Sequence, residues 1–590
     1  MDQDRSCTSL RCRHALFRVC QNFFRKETLN KRVPISSWLP KYTVSILFQD
    51  ILAGFTVGLT EIPQGIAFAG IAGLSPEYGL YCGFMGGFIY ALFGSCKDVN
   101  IGPTSIMALM LQDHISALGP DMAITITFLA GIIIFILGLL NLGFVIEFFS
   151  YPIIAGFTCA ASLQIASSQV KGLFGIPGKA NAFLEAWESV FSNIEKIRLW
   201  DSVLGVLSII FLVSLKEIRR FGTLQYREDW SRNRNILGIF LFMLSLARNA
   251  LVVIIGTVIS YSLRDDNPFK ITGDVKSGFP PFEPPPFSTQ VNGTNYNFRD
   301  MVQNYGPSLA FIPLVAILEA VSIAKAFSKG KPLDATQEML ALGLCNVMGS
   351  FVRSMPITGS FTRTAVNNAS GVKTPLAGIF TSAMVLLAIG FLTPSFYYVP
   401  KATLASVIIC AMFYLFDYDA FVVLWRSKKL DLVPFLTTLL CCLFISLEYG
   451  ILIGIGVNLL FVLYASARPK LTITKEKISD SRGEVFVITP KDTLYFPAAE
   501  HLRDVVLTCE GENATVVVSG REIRNVDVTV AKSMAVFAKE LVDRGQKVIF
   551  LDFKPSVVEV CVKVDLSLQK YFAEGPLDEI FENEPILSVQ

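Results

Sequence analysis

Histidine is scarce in this 590-residue chain: His14, His114 and His501 are the three, and none has the spacing of an HExxH-type zinc site. Charge is also thin, at 17% of residues, and nearly balanced at +2, which predicts neither a nucleic acid nor another polyanion as partner. There is no GxxxxGK[ST] phosphate loop, so nucleotide hydrolysis has no support. No nucleophile–base set stands out and no cofactor or metal is expected, so the chain does not read as an enzyme. The twelve cysteines are scattered, and Cys345, Cys410, Cys441 and Cys442 lie inside apolar runs, which suits small buried hydrophobes better than a disulfide framework. The first 43 residues are basic and lack an apolar core followed by a cleavage site, so they are no secretory signal and suit a cytosolic N-terminus.

Apolar residues are what the chain has in excess. They make up 52% of the sequence, and the mean hydropathy is +0.51, far above the range of soluble domains. The composition predicts a multi-pass membrane protein. Apolar runs continue from about residue 45 to about 465 and then give way to alternating strands and amphipathic helices. The expected organisation is a cytosolic N-terminal segment (1–43), a transmembrane domain (44–467), a linker (468–482) and a soluble α/β domain (483–590).

About fourteen apolar segments are countable, several shorter than the roughly 20 residues that span a bilayer. With the N-terminus inside, the loops after the sixth, eighth, twelfth and fourteenth segments are cytosolic; they contain "KEIRRFGTLQYREDWSRNR", "KGK", "WRSKKLD" and "ARPK", all basic. The loop after the seventh falls outside and carries a glycosylation sequon at Asn292. Fourteen divides into seven plus seven, and an odd number per half inverts the second half relative to the first. The third and tenth segments, about 104–114 and 361–370, occupy matching places and are both short.

Each short segment follows a non-helical approach, "NIGP" in one half and "SMPITGS" in the other. Two half-helices starting near mid-membrane would aim free N–H groups and positive dipole ends at one cavity, which favours an anion. Arg363 adds a full charge beside Ser360, Thr362 and Thr364; its alternative is a buried ion pair that locks helices together. Gln64, in "EIPQGIAFAG", follows a proline that together with Gly65 would break the first helix. Its amide would then contact substrate or satisfy freed backbone groups. Glu319 is the single acid in the eighth apolar run, a candidate proton or coupling-ion site with pairing to Arg363 as the alternative. Protonating a carboxylate there would remove repulsion against a divalent anion.

Taken together, "LSPEYGLYCGFMGGFIYALFGSCKDVNIGPTSIMALM", "IPQGIAFA", "DATQEMLALGLCNVMGSF" and "GSFTRTAVNNASGVKTPLAG" resemble the sulfate permease family, solute carrier family 26. The resemblance runs from about residue 38 to the end. It implies a fourteen-helix inverted repeat in which a core (segments 1–4 and 8–11) moves against a gate (5–7 and 12–14), a cytosolic STAS domain and a homodimer. It also implies that Gln64 and Phe68 line the site, that Thr104 and Ser105 cap the third helix, and that Thr362 and Arg363 cap the tenth. Glu319 stands where proton-coupled and bicarbonate-transporting members carry an acid.

The family implies sulfate, chloride, bicarbonate and oxalate as candidate substrates, and the plasma membrane or the lysosomal membrane as the location. An anion channel and a non-transporting electromechanical or regulatory protein remain open on the same scaffold. A nucleobase–proton symporter fits less well, because Arg363 argues for an inorganic anion. In the C-terminal domain, Asp527-Val528-Thr529 precedes a helix; Thr529 is either a phosphorylation switch or simply the helix cap.

Overall fold

The computed structural model describes residues 32–144, 149–176, 183–221, 244–245, 247–265, 268–291, 293–328, 333–476, 485–491, 494–509, 515–577 and 580. Asn292 and most of the basic loop after the sixth segment lie outside the described residues. The chain divides into two compact units, Met1–Ile455 and Gly456–Gln590.

The first unit is helical, and each of the fourteen expected segments falls on a helix or a pair of helices. They are α1 (Val44–Ala72), the pair α2 (Pro76–Tyr81) and α3 (Met85–Phe93), α4 (Ser105–Leu118), α5 (Asp121–Leu139), α6 (Tyr151–Leu173), α7 (Leu199–Phe221) and α8 (Arg248–Ser262). The second half supplies α9 (Ser308–Phe327), α10 (Ala335–Ser350), α11 (Phe361–Ala369), α12 (Ala377–Leu387), α13 (Lys401–Leu415) and α14 (Leu432–Phe444), and α15 (Leu447–Ala467) runs from the first unit into the second. Eight helices among the described residues are long and apolar enough to cross a membrane.

Two packed sets of helices emerge. α5 packs on α10, α10 on α3, and α12 on α1 and α3, which joins members of segments 1–4 to members of 8–11. α6 packs on α13 and α14, and α7 on α8 and α13, which joins 5–7 to 12–14. Small residues permit the close crossings: a Cβ on Gly131 of α5 would lie 2.6 Å from the Val347 amide of α10, and one on Gly343 of α10 would lie 2.7 Å from the Phe135 amide of α5.

Two buried acids of this unit, Asp50 and Glu338, are held by several donors each. Asp50 accepts from the Lys373 and Thr374 amides (2.9 and 3.2 Å), the Thr374 hydroxyl (2.6 Å) and the Tyr42 hydroxyl (3.1 Å). Glu338 accepts from the Tyr90 hydroxyl (2.8 Å), the Ser95 amide (3.0 Å) and the Ser95 hydroxyl. Such multiple donation is what makes a carboxyl group tolerable in an apolar interior.

One expectation is corrected here. Pro63 and Gly65 do not break the first helix, because α1 runs unbroken from Val44 to Ala72 with Pro63 inside it. The glycine has another use: a Cβ on Gly65 would stand 2.6 Å from the Gly79 carbonyl, so its absence lets the chain around α2 press against α1.

The second unit is an α/β domain. Its sheet has the order β3 (Leu471–Glu476), β4 (Val485–Pro490), β5 (Thr515–Ser519), β6 (Lys547–Leu551) and β7 (Phe572–Ala573), the labels β1 and β2 being reserved for two short strands of the first unit, Ile101–Gly102 and Thr358–Gly359. β3 is antiparallel to β4 and the remaining pairs are parallel. β5 is buried along its whole length, as a central parallel strand must be. Helices α16 (Ala499–Leu507), α17 (Val528–Asp543) and α18 (Pro555–Val564) share a core with one face of the sheet through Leu502, Val530, Phe537, Val518 and Phe550. At the start of α17, Asp527 is the cap and accepts from the Val530 amide at 2.8 Å. Thr529 is exposed within the first turn and does not cap the helix.

Candidate anion site

The site is built where the two halves of the first unit meet. Gly102 and Met355 each precede a proline, a position biased toward extended backbone, so both approaches remain non-helical. They pair as the two-residue antiparallel ladder β1–β2, with Ile101 opposite Gly359 and Gly102 opposite Thr358. The ladder continues through the Ser360 amide, which donates to the Asn100 carbonyl at 3.1 Å. The Thr358 hydroxyl, donating to the Ala316 carbonyl at 2.6 Å, ties the ladder to α9.

Both helices begin immediately beyond it, each at an extended hydroxyl residue, Thr104 for α4 and Ser360 for α11. At 14 and 9 residues, α4 and α11 are about 21 and 14 Å long, short of the roughly 30 Å hydrocarbon core. The Thr104 hydroxyl accepts from the Met107 amide at 3.4 Å, whereas the Ser360 side chain caps no amide and lies 3.3 Å from the Thr362 hydroxyl. The first bond within α11 runs from the Thr364 amide to the Ser360 carbonyl, so the preceding turn carries the free N–H groups of a helix start. At its far end α11 stops at Gly371, whose φ of +82° suits glycine.

A cavity of about 680 Å³ opens beside these starts. Of the predicted site residues, Phe68, Thr104, Ser105, Glu319, Ser360 and Thr362 line it together. Its other wall is α6 and α13, including Thr158 and Met412, so it lies on the boundary between the two packed sets. Glu319 accepts from the Thr104 hydroxyl at 3.4 Å.

Two predicted residues stand elsewhere. Gln64 is buried and lines a second cavity, of about 620 Å³, with Lys216, Arg248 and Thr362. Its amide oxygen meets no hydrogen-bond donor among the described residues, so that oxygen does not satisfy a freed backbone group. Arg363 is fully buried and lines neither cavity. Its Nε donates to Asn100 Oδ1 at 2.6 Å and its Nη1 to the Pro103 carbonyl at 2.7 Å, and Glu61 Oε2 lies 3.9 Å from Nε. The carboxylate in its ion pair is therefore Glu61 of α1 and not Glu319.

Glu61 and Asn100 escaped the sequence reading. A signal for Glu61 existed, since it lies one turn before Gln64 on the same helix. For Asn100 there was the place next to the short strand. Asn100 also receives the ladder bond and donates its own amide to the Thr364 hydroxyl at 3.2 Å.

The arrangement is that of a multi-pass membrane protein with two half-helix starts at one cavity, and the comparisons place it in a family. Residues 47–470 match the Sulfate permease family, and the chain belongs to it. It is 39% identical over 554 residues to the "Sodium-independent sulfate anion transporter" of Bos taurus, covering 92% of this chain and 90% of that one. A probable sulfate permease of Schizosaccharomyces pombe is 33% identical over 482 residues, and the chain spans 53% of that relative's length. Among solved structures, murine Solute Carrier 26 family member A9 in its inward-facing state matches with a TM-score of 0.81 at 21% identity, over 95% of both chains. The transmembrane domain of the cyanobacterial bicarbonate transporter BicA matches with a TM-score of 0.54 at 19% identity, over 70% of this chain and 98% of that one. The fold is thus the fourteen-segment inverted repeat with a C-terminal STAS domain. The matched relatives are transporters, not enzymes.

Proposed function

We propose that the protein carries out sodium-independent secondary active transport of inorganic anions: sulfate, with chloride, bicarbonate or oxalate as exchange or alternative substrates. The observation that carries this reading is the joining of two half-helix starts by the β1–β2 ladder at one cavity. Free N–H groups and the Ser360, Thr362, Thr104 and Ser105 hydroxyls would bind the anion, with Phe68 covering it. Arg363 would contribute through its field, since its guanidinium is bonded within the protein.

Transport would proceed by alternating access. The cavity is bordered by Tyr151, Asp417 and Asp419, next to the loops after the fourth and twelfth segments, which the charge pattern assigns to the cytosol. Movement of the core set past α6 and α13 would carry the site toward the other side. Glu319 would take up a proton and so favour a dianion, giving uptake that rises with acidity. The reading extends to a homodimer in the plasma or lysosomal membrane, a transmembrane domain over 44–467, a linker over 468–482 and a cytosolic STAS domain over 483–590. It also includes glycosylation at Asn292 and, at the exposed Thr529, phosphorylation.

The test is radiolabelled sulfate uptake into sodium-free proteoliposomes, with and without internal chloride, at external pH 5.5 and 7.5. Uptake that requires internal chloride or external acid supports coupled transport, and Glu319→Gln should abolish the acid stimulation. Large chloride conductance without countertransport would overturn the reading in favour of a channel. Absence of any flux would overturn it in favour of a non-transporting role.

A further inference from the structure

Glu61 differs from every other buried acid described above. It is 2% exposed, and neither of its carboxylate oxygens meets a hydrogen-bond donor among the described residues. Asp50 and Glu338 each collect at least three hydrogen bonds, and Glu319 collects one. Asn100 faces Glu61 as well: with its side-chain oxygen engaged by Arg363, its amide nitrogen is the group turned to the carboxylate, outside hydrogen-bond geometry. The charged partner of the Glu61 carboxylate is Arg363, with 3.9 Å between Oε2 and Nε.

Space has been kept for this pair. A Cβ on Gly102, in the ladder itself, would collide with Glu61 Oε1 and stand 2.8 Å from Arg363 Nη2, and one on Gly83 would lie 3.3 Å from Glu61 Oε1. Arg363 Nη2 also lacks a hydrogen-bond acceptor among the described residues. The titratable groups around Arg363 are Glu61 on α1, Cys82 between α2 and α3, and Glu319 on α9. The Cys82 thiol is spent in bonds with the Tyr78 carbonyl and the Met355 amide.

We propose that Glu61 is the internal counter-ion of Arg363 and thereby sets the charge of the anion site. One positive and two negative groups form the cluster, and Glu61 offsets most of the Arg363 field. The charge left facing the cavity is that of Glu319, with Asp417 and Asp419 at the rim. A dianion therefore loads well only when Glu319 carries a proton, and Glu61 is the positioning residue that imposes this condition. The inference rests on the anion-transport reading above.

The experiment measures equilibrium binding of radiolabelled sulfate to the purified full-length protein in detergent at pH 5.5 and 7.5. For the wild type, tighter binding at pH 5.5 is expected. Glu61→Gln uncovers the arginine charge: at pH 7.5 it should bind sulfate about tenfold more tightly, and the ratio between the two pH values should shrink. A role confined to holding helices together would lower thermal stability while leaving that ratio alone.

Wild-type affinity that is the same at both pH values, or an unchanged affinity and ratio in Glu61→Gln, overturns the proposal and leaves the transport reading standing. Wild-type protein that binds no sulfate at either pH removes that reading, and the proposal with it. If Glu61→Gln does not fold, the double variant Glu61→Gln/Arg363→Gln restores the charge balance with an amide pair. It should keep the wild-type pH ratio, and a changed ratio overturns the proposal.

Discussion

Replacing Arg363 with glutamine removes a guanidinium that makes hydrogen bonds of 2.6 Å to Asn100 and 2.7 Å to the Pro103 carbonyl, and leaves Glu61 buried without its partner. At 3.9 Å, and with an effective dielectric constant of about 20, the attraction between the two charges is about 4 kcal/mol. Desolvation of both groups offsets much of that in the intact protein, but removing one partner leaves the other uncompensated, at a cost of about 3–5 kcal/mol. Glu61→Gln should be similarly costly for the same reason. In the double variant Glu61→Gln/Arg363→Gln no buried charge is stranded, so it should be more stable than the sum of the single losses by about 2–3 kcal/mol. Denaturation of the purified protein in mixed micelles, run as a double-mutant cycle, reads this directly. Additivity within about 0.5 kcal/mol would mean that the two groups do not sense each other, and the account of the pair would be wrong.

Three further outcomes are expected. Gly102→Ala drives a methyl group into the Glu61–Arg363 pair and should destabilise the protein by about 1–3 kcal/mol and suppress sulfate uptake, both measurable on one preparation. In the second unit, Asp527→Ala should cost about 1 kcal/mol by removing the cap on Val530, whereas Thr529→Ala should change stability by less than about 0.5 kcal/mol; thermal melting separates them. Asp552 accepts from the Gly575 amide at 3.0 Å and from Arg521 Nε at 2.7 Å, and these two, the amide first, hold its carboxyl below the ordinary carboxylate range. A depressed value in the folded state means a contribution present above about pH 4 and lost as pH falls through the folded value. The protection factor of the Gly575 amide, taken against its intrinsic exchange rate at each pH, should therefore fall toward pH 3 in the wild type, and that fall should weaken in Asp552→Asn.

The fold was legible because membrane segments announce themselves by apolar length, and because positive loops alternate with neutral ones. The two half-helices were legible for a local reason: "NIGP" and "SMPITGS" place prolines that bias the backbone toward extended shortly before the hydroxyl residues Thr104 and Ser360 at the helix starts. Pairing across the chain carried no such local mark. Arg363 is visible in sequence as a cation in an apolar region, but its partner, Glu61, belongs to the other repeat and sits one turn before a glutamine that drew attention instead. Pro63 was misread because a proline removes one helix bond, and a helix with neighbours pressed along it survives that loss. Gln64 was assigned to the shared site from its place in a motif, yet the helix turns it toward a second cavity.

The two-residue ladder would let a site assembled from opposite halves move, as the proposed transport requires, without coming apart. Two free half-helix ends would each repel the other's positive dipole, and their separation would vary with every helix shift. Here Ile101 and Gly102 are bonded to Thr358 and Gly359, Asn100 bonds to Ser360, Thr364 and Arg363, and Asn367 donates to the Asp98 carbonyl at 3.0 Å. Asn346 of α10 closes the frame by exchanging bonds of 2.9 Å with both the amide and the carbonyl of Ile357. All of these residues lie on, or between, members of one packed set. Between the two sets, α1 packs on α8 and α13 and α4 on α6, and the side-chain hydrogen bond described across the cavity is the 3.8 Å approach of the Ser105 hydroxyl to the Met412 sulfur. A frame rich in hydrogen bonds on one side and a boundary with few on the other would be the mechanical condition for carrying the proposed site intact past a static wall, because sliding would break few directional bonds.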